Sequence, residues 1–319
     1  MSLLKVDGID TNLASFINFV KQLVTPQVTT NIVLTDQIDK RLTANPTFLT
    51  SPIVPTPTLA GGATNKSYVD GKGSGVIGSF SNLKASATGL SATVLVTADE
   101  ISLESSLNQY VTLRPISLSI AGTSVGANGL DAGSLAISTW YSLWVIYDGT
   151  NTAGLMSLSA TAPTLPSGYT YKARVGWIRT DGTANKYPLS FIQYGCDVRY
   201  KISAGSNMTA FPVLSSGAQG AISTPTWVAV SVATSVPITA AKINICYTYG
   251  NGAAVGFILA PNNSYGAVTS LTAPPLMSGA GYSGDITETK YGDITLESSN
   301  IYYAAAAGNL LAVGWTDNL

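Results

Sequence analysis

The hydrophobic and polar positions change rhythm twice along the chain. Ile9, Leu13, Phe16, Val20 and Leu23 recur at a 4-3-4-3 spacing, which places all five on one helical face before Pro26 interrupts the pattern. Val28, Ile32, Leu34, Ile38 and Leu42 continue it, with Thr35 and Asp36 diluting the seam. Both pieces are short for an independent coiled coil. They read either as amphipathic helices packed on something larger or as a short oligomeric stem. Pro46, Pro52, Pro55 and Pro57 then favour extended backbone, and the glycines from Gly61 to Gly75 allow bends, so residues 46–75 read as a neck.

After Val76 the period is that of strands. Short Thr- and Val-rich runs at 93–96, 111–113 and 117–120 alternate between Gly and Asn turns. Residues 140–147 are apolar at nearly every position, as in a central strand covered on both faces. Asp148-Gly149 opens a turn from it to a return strand at 155–158. Residues 174–179 and 187–194 predict a second hairpin about Thr180-Asp181-Gly182, and 197–202 closes this block. A further block reads as strands at 227–233, 242–249 and 254–259, with Asn251-Gly252 as a hairpin turn between the last two. Long loops follow at 261–266 and 274–284, then a meander of 293–297, 301–305 and 310–315. Roughly eight strands over about 117 residues is the spacing of a sandwich or jelly roll. The expected architecture is mainly β, with a helical stem at 1–45, the neck at 46–75, and two sandwich- or jelly-roll-like domains at 76–202 and 203–319.

Composition narrows the function. Charged residues make up 10% of the 319 residues, with 16 Lys+Arg against 17 Asp+Glu and a net charge of -1. No basic field exists to hold a phosphate backbone, so no nucleic-acid partner is expected. The absence of histidine removes the commonest general base and the usual nitrogen ligand for transition metals. No cofactor is expected. No apolar run is long enough to cross a membrane, and the first residues lack a basic region followed by an unbroken apolar one, which suggests synthesis in the cytosol. Cys196 and Cys246 lie 50 residues apart and read as small buried side chains, with a bridge between them as the alternative. Between Ile202 and Gly284 the one charged residue is Lys242. Neutral hydrogen-bonding side chains and burial between subunits are the two ways to keep such a stretch dispersed.

Two acidic clusters are candidates for chemistry. Asp285, Glu288, Asp293 and Glu297 supply the carboxylate pair that glycoside hydrolysis uses, against the plainer reading that they solvate a hairpin around Tyr291-Gly292. Asp99, Glu100 and Glu104 fit a solvated turn better than any known calcium loop. Neither a phosphate-binding GxxxxGK[ST] nor a GxSxG elbow is present, and Gly61-Gly62 is a bend in the neck. Tyrosines outnumber phenylalanines 16 to 7, and many stand beside Gly, Asn or Ser. A tyrosine combines a broad apolar face with one polar tip, which suits adhesion as well as a sandwich core. Of Tyr302 and Tyr303, adjacent on one strand, one should point inward. Tyr265 and Tyr282, in loops with Asn262, Asn263 and Asp285, are the first candidates for contacts with a partner surface.

The neck text PTPTLAGGATNKSYVDGK resembles the Pro/Thr-rich segment that precedes the distal domains of many tail-fibre proteins of tailed bacteriophages and prophages. The run from SLSIAGTSVGANGLDAGSLAIS through TWYSLWVIYDGTNTAGLMSLSA to RVGWIRTDGTANKYPL is similar to a module recurring in those proteins. APNNSYGAVTS, ESSNIYYAA and the terminal GWTDNL look like their distal receptor-binding domains. The resemblance covers about four fifths of the chain and implies a homotrimer in the distal tail of a virion. Its N-terminus, with Ile9, Leu13, Phe16, Val20 and Leu23 as the trimer seam, would meet baseplate or tail-tip proteins. Its C-terminal β domain would meet a bacterial surface glycan, pilus or outer-membrane protein. No catalytic motif comes with the resemblance, so no enzyme activity is expected. A segment of about 45 residues before the neck suggests a compact fibre, and the absence of an obvious cleavable chaperone domain suggests self-sufficient trimerisation. The rival expectations are a tailspike-like glycan-degrading enzyme using Asp285 with Glu288, Asp293 or Glu297, and a purely structural baseplate component.

Overall fold

The computed structural model describes residues 76–107, 109–249, 256–280 and 288–319, together with 17, 18 and 20. The chain divides into two compact units, residues 1–66 and 67–319. In the first, Ile17, Asn18 and Val20 are helical and exposed. Ile9, Leu13, Phe16 and Leu23 of the expected stem, and the whole neck, lie outside the described residues.

The second unit is mainly β. Its described residues form twenty strands in three sheets. A seven-stranded sheet runs in the order β1 (Phe80–Ser81), β4 (Glu100–Ser105), β10 (Tyr171–Arg179), β8 (Trp140–Tyr147), β9 (Thr152–Ser157) and β7 (Gly129–Leu130), with β5 (Tyr110–Leu113) also on β4. A nine-stranded sheet runs β18 (Glu288–Thr295), β15 (Ala240–Tyr249), β20 (Asn309–Asp317), β12 (Asp197–Tyr200), β11 (Phe191–Tyr194), β2 (Lys84–Ala87), β3 (Thr93–Ala98) and β6 (Ile116–Ala121), with β13 (Val213–Ser216) also on β20. The third sheet has four strands, β14 (Val228–Ser231), β19 (Asn300–Ala305), β16 (Gly256–Ala260) and β17 (Met277–Ala280). Among the named strands every pairing is antiparallel except that of β7 with β9.

The two smaller sheets pack on one face of the large one. Ile243, Ile245, Tyr247 and Tyr249 alternate along β15 and are all buried, and in register Ile243 stands beside Trp315, Ile245 beside Ala312 and Tyr247 beside Leu310. On this face Trp315 meets Trp140 of the seven-stranded sheet edge to face, with ring centroids 5.3 Å apart. Further along the same face Tyr247 packs at 3.9 Å on Phe257 of the four-stranded sheet, and lies 6.3 Å from Tyr303. Such contacts add to the burial of aromatic area itself. Close approach between layers needs residues without a side chain: a Cβ on Gly154 would fall 2.3 Å from the Ile120 side chain. Strand β10 is bulged between Arg174 and Gly176, and the Val175 carbonyl there accepts a hydrogen bond from the Gln193 side chain of β11 across the layers, at 2.8 Å.

Strand β8 is buried on both sides, as its composition predicts. Leu143 and Val145 join the main core, whereas Trp144 and Ile146 face a smaller cluster with Ala153 and Leu155, covered by Leu165 and Tyr169. The Asp148-Gly149 turn is also as expected. Asp148 accepts hydrogen bonds from the Thr150 and Asn151 amides, Gly149 takes a φ of 103°, and those amides with the Asn151 side chain hold the Asp148 carboxyl below its ordinary range.

Several expected pairings are not made. Residues 174–179 and 187–194 do not form a hairpin: β10 belongs to the seven-stranded sheet and β11 to the nine-stranded one, and a lone bridge between Thr180 and Pro188 marks where the chain changes layer. Strands β15 and β16 likewise enter different sheets, and Asn251-Gly252 between them lies outside the described residues. The terminal meander is interleaved, with β18 and β20 flanking β15 and β19 in the small sheet. Part of the loop expected at 274–284 is strand β17. The boundary expected between residues 202 and 203 does not separate two sheets. Strand β20 takes β12 from the first block and β15 from the second as neighbours, because a strand buried in a sheet needs partners on both edges. Cys196 and Cys246 are free thiols, which removes the bridge, and Tyr303 is the inward member of its pair.

The C-terminal strand is also tied by charge. Arg174 of β10 donates to Asp317 of β20 at 2.6 Å, and the other Asp317 oxygen accepts from the Thr239 hydroxyl at 2.5 Å. The Asp317 side chain is wholly buried, so truncating it leaves the Arg174 guanidinium without its counter-ion. Asp317→Ala should cost about 3–5 kcal/mol, seen as a lower urea midpoint at unchanged m-value.

Three buried tyrosines make the fold sensitive to alkali. Burial pushes the Tyr247 hydroxyl up to about 12 from its ordinary value of 10.0, and pushes Tyr200 and Tyr303 up further. The unfolded chain therefore ionises while the native state keeps its protons. Stability should hold up to about pH 10 and fall steeply between pH 10 and 12, which urea titrations across that range will show. Tyr247→Phe should flatten the fall.

Candidate functional site

The 67–319 unit carries a cleft of about 540 Å³, a volume within the range of small-ligand sites. Strand β8 contributes Trp140 and strand β10 contributes Trp177. The turn between β14 and β15 brings Val232, Val236, Pro237 and Ile238, and the connection from β18 to β19 brings Glu297, Ser298 and Ser299. Leu158, just past β9, completes the lining with Ala233, Ala240 and Leu296.

Indole N–H groups hold this wall together. Trp140 donates to the Ala233 carbonyl at 3.0 Å, and Trp177 donates to the Thr239 hydroxyl at 2.8 Å, which in turn donates to Asp317. The turn closes on itself through the Ser235 and Val236 amides, both donating to the Val232 carbonyl. Tyr200, beneath it, donates to the Ser235 carbonyl at 2.8 Å. A buried indole or phenol without a partner would carry a desolvation penalty, so each ring both fills space and pins a loop. Trp177 is buried and Trp140 half-buried, while Leu158 and Ile238 are 66% and 88% exposed.

The loop singled out from sequence meets this cleft at one point. Asn262 donates to a Glu297 carboxylate oxygen at 2.8 Å, and its own side-chain oxygen accepts from the Ser264 amide at 2.8 Å. Asn263 is exposed beside it. Tyr265 is half-buried, and its carbonyl accepts from the Trp227 indole at 2.9 Å. Tyr282 and Asp285 lie outside the described residues. The structure thus connects Asn262 to the cleft and uses the Tyr265 backbone to anchor its loop.

The acidic clusters disperse into local partnerships. Asn82 donates to Asp99 at 2.6 Å, and Arg114 pairs with Glu100 at 2.6 Å. Tyr110 donates to Glu104, whose acceptance of that bond raises the hydroxyl's pKa. Asp293 pairs with Lys242 on the exposed side of β18 at 3.1 Å, whereas Glu297 stands on the rim of the cleft. Among the described residues no three Cys, Asp or Glu side chains converge as metal ligands. No described helix is long and apolar enough to cross a membrane.

Sequence reasoning did not find Trp140, Trp177, Leu158 or Ile238 as cleft residues. The sequence places Trp140 on a strand covered on both faces and Trp177 on a strand of an expected hairpin, and singles out neither indole. The signal that could have found them is the need of each indole for an acceptor, since Val236-Pro237-Ile238-Thr239 supplies an exposed apolar tip and a hydroxyl in one turn. A second groove of about 450 Å³ is lined by Phe80, Asn82, Lys84, Thr97 and Tyr194, with the Lys84 ammonium 5.5 Å above the Tyr194 ring.

No protein-family model matches the chain, and no curated protein matches it. Trp140→Ala should cost about 2–3 kcal/mol, because it removes the contact with Trp315 from a half-buried position, while water can replace the indole at the exposed Ala233 carbonyl. Glu297→Gln should leave the denaturation midpoint within about 0.5 kcal/mol of wild type, because Glu297 is exposed. Paired urea titrations check both.

Proposed function

We propose that the chain is a tail-fibre or receptor-binding protein of a tailed bacteriophage or prophage. It works as a homotrimer in the distal tail, joined through its N-terminal segment to baseplate or tail-tip proteins, and its C-terminal β portion holds a component of the bacterial surface. The observation that carries this reading is the aromatic cleft beside the Asn262 loop, an open, hydroxyl-rimmed site on a frame of three packed sheets. The resemblance of the neck, the middle module and the terminal motifs to tail-fibre proteins supports it.

Among the described residues the cleft lining includes one carboxylate, Glu297, and glycoside hydrolysis takes two across the scissile bond, which favours holding a glycan over cutting it. Three copies of one modest site on a shared stalk raise avidity by a factor of about 10² to 10⁴ when they engage together, so a single site can be weak. Trimerisation also suits a chain with 10% charged residues, since mutual burial removes apolar surface that charge would otherwise keep apart.

Two measurements test the reading. Sedimentation of the full chain should give three times the 33.0 kDa protomer mass, and a stable single-copy species overturns the trimer. Free protein should block virus adsorption to host cells. Failure at saturating concentration points to a purely structural component, and release of oligosaccharide from host polysaccharide points to an enzyme.

A further inference from the structure

We infer that the Trp140 cleft is a subsite for a neutral sugar ring, with preference for one that carries a methyl group, such as an N-acetylhexosamine or a 6-deoxyhexose. This deepens the receptor-binding reading and rests on it for its biological meaning, though not for the binding chemistry. A pyranose has a face where C–H bonds gather and a belt of hydroxyls around its edge. Such a molecule needs an apolar floor and a polar rim in one small space. Trp140, Val236 and Pro237 provide the floor, and Glu297, Ser298 and Ser299 the rim.

The acceptor at that rim is already positioned. Asn262 holds one Glu297 oxygen at 2.8 Å while the Ser264 amide fixes Asn262, so the carboxylate does not have to be immobilised by the ligand. A carboxylate keeps several lone pairs beyond the one used by Asn262, and a sugar hydroxyl can donate to them.

Charge excludes the competing ligand classes. Among the described residues the one ionisable side chain in the lining is acidic, which disfavours a phosphate or an acidic sugar. Arg174 is paired with Asp317 and Lys242 with Asp293, while Arg179, the register partner of Trp140, is half-buried and lines no part of the cleft. An alkylammonium would be attracted to Glu297, but an exposed carboxylate holds a cation weakly. A wholly apolar peptide side chain would desolvate Glu297 without replacing its water contacts. The methyl preference comes from Leu158 and Ile238. These two exposed aliphatic groups gain nothing from a plain hexose but are covered by an acetyl or a C6 methyl group.

The test titrates the intact full-length protein with N-acetylglucosamine, rhamnose, glucose, glucuronate and choline, reading tryptophan fluorescence and calorimetric heat. N-acetylglucosamine or rhamnose should bind at least about fivefold tighter than glucose, the factor expected when one methyl group is buried. Glu297→Ala and Ile238→Asp should each weaken binding about tenfold, as loss of an acceptor or of an apolar wall does, with melting curves like wild type. Leu271→Asp, at an exposed position outside the lining, should bind as wild type does. Response to choline alone, no response to any neutral sugar, or sugar binding untouched by both cleft variants overturns the inference. The adsorption assay separates this from the broader reading. Competition with virus in the absence of any sugar response keeps receptor binding and removes the cleft as a sugar site. Sugar binding lost in the variants, without competition, does the reverse.

Discussion

Strand β20 is paired on both edges along most of its length, to β15 on one side and to β13 and then β12 on the other, with a bulge at Val313. Leaving such buried amides unpaired would cost about 1–3 kcal/mol each, so the last residues of the sequence must be in place before the large sheet is continuous. The same nine residues supply both ends of the main core. Trp315 meets Trp140 under the seven-stranded sheet, and Leu310 lies on the face where its register partner Tyr247 packs on Phe257 and Tyr303. Arg174 and Asp317 then fasten β20 to the opposing layer. The described strands are therefore joined by one continuous core along a shared sheet.

A chain so poor in charge concentrates what it has. Arg174 pairs with Asp317 and also lies 5.8 Å from the Trp177 ring, Lys172 stands over Trp144, Arg114 meets Glu100, and Lys242 meets Asp293. Most remaining polar work falls to hydroxyls, amides and indoles. Ser142 shows the economy: its buried hydroxyl reaches the Ser157 and Ser159 carbonyls while accepting from the Trp144 indole. Neutral groups lose less hydration on burial than ions do, so they can sit between layers where a salt bridge would need a full shell of partners.

Local signals of the fold were legible because they are local. Residues 140–147 are apolar on both faces, and β8 is covered on both faces. Asp148-Gly149 turns where a short side chain and a residue tolerant of positive φ stand together. Pairing was not legible, because alternation says which side of a strand is buried and nothing of which strand lies beside it. Thr180-Asp181-Gly182 looks like a hairpin turn, yet Asp181 spends its carboxylate on the Thr183 amide and the Asn207 side chain, which suits a crossing between layers. The site was half legible for the same reason. Asn262 could be named from its loop composition, but its partner Glu297 is 35 residues away and joins it only through the return of β19.

The cleft follows from this architecture. Two smaller sheets covering one face of a larger one meet imperfectly, and sheets twist, so a gap opens where the end of one approaches the edge of the other. The lining comes from that seam: β8 and β10 from the seven-stranded sheet, the turn after β14 from the four-stranded one, and the crossing from β18 to β19. Two indoles share the seam with aliphatic side chains such as Val232, Val236 and Leu296, each indole spending its one donor on a loop carbonyl or hydroxyl. A carboxylate fixed by an asparagine from the adjacent loop stands at the edge. The rigidity comes from the sheets and the cleft from the seam, so the loops around it can vary in sequence without loosening the core beneath.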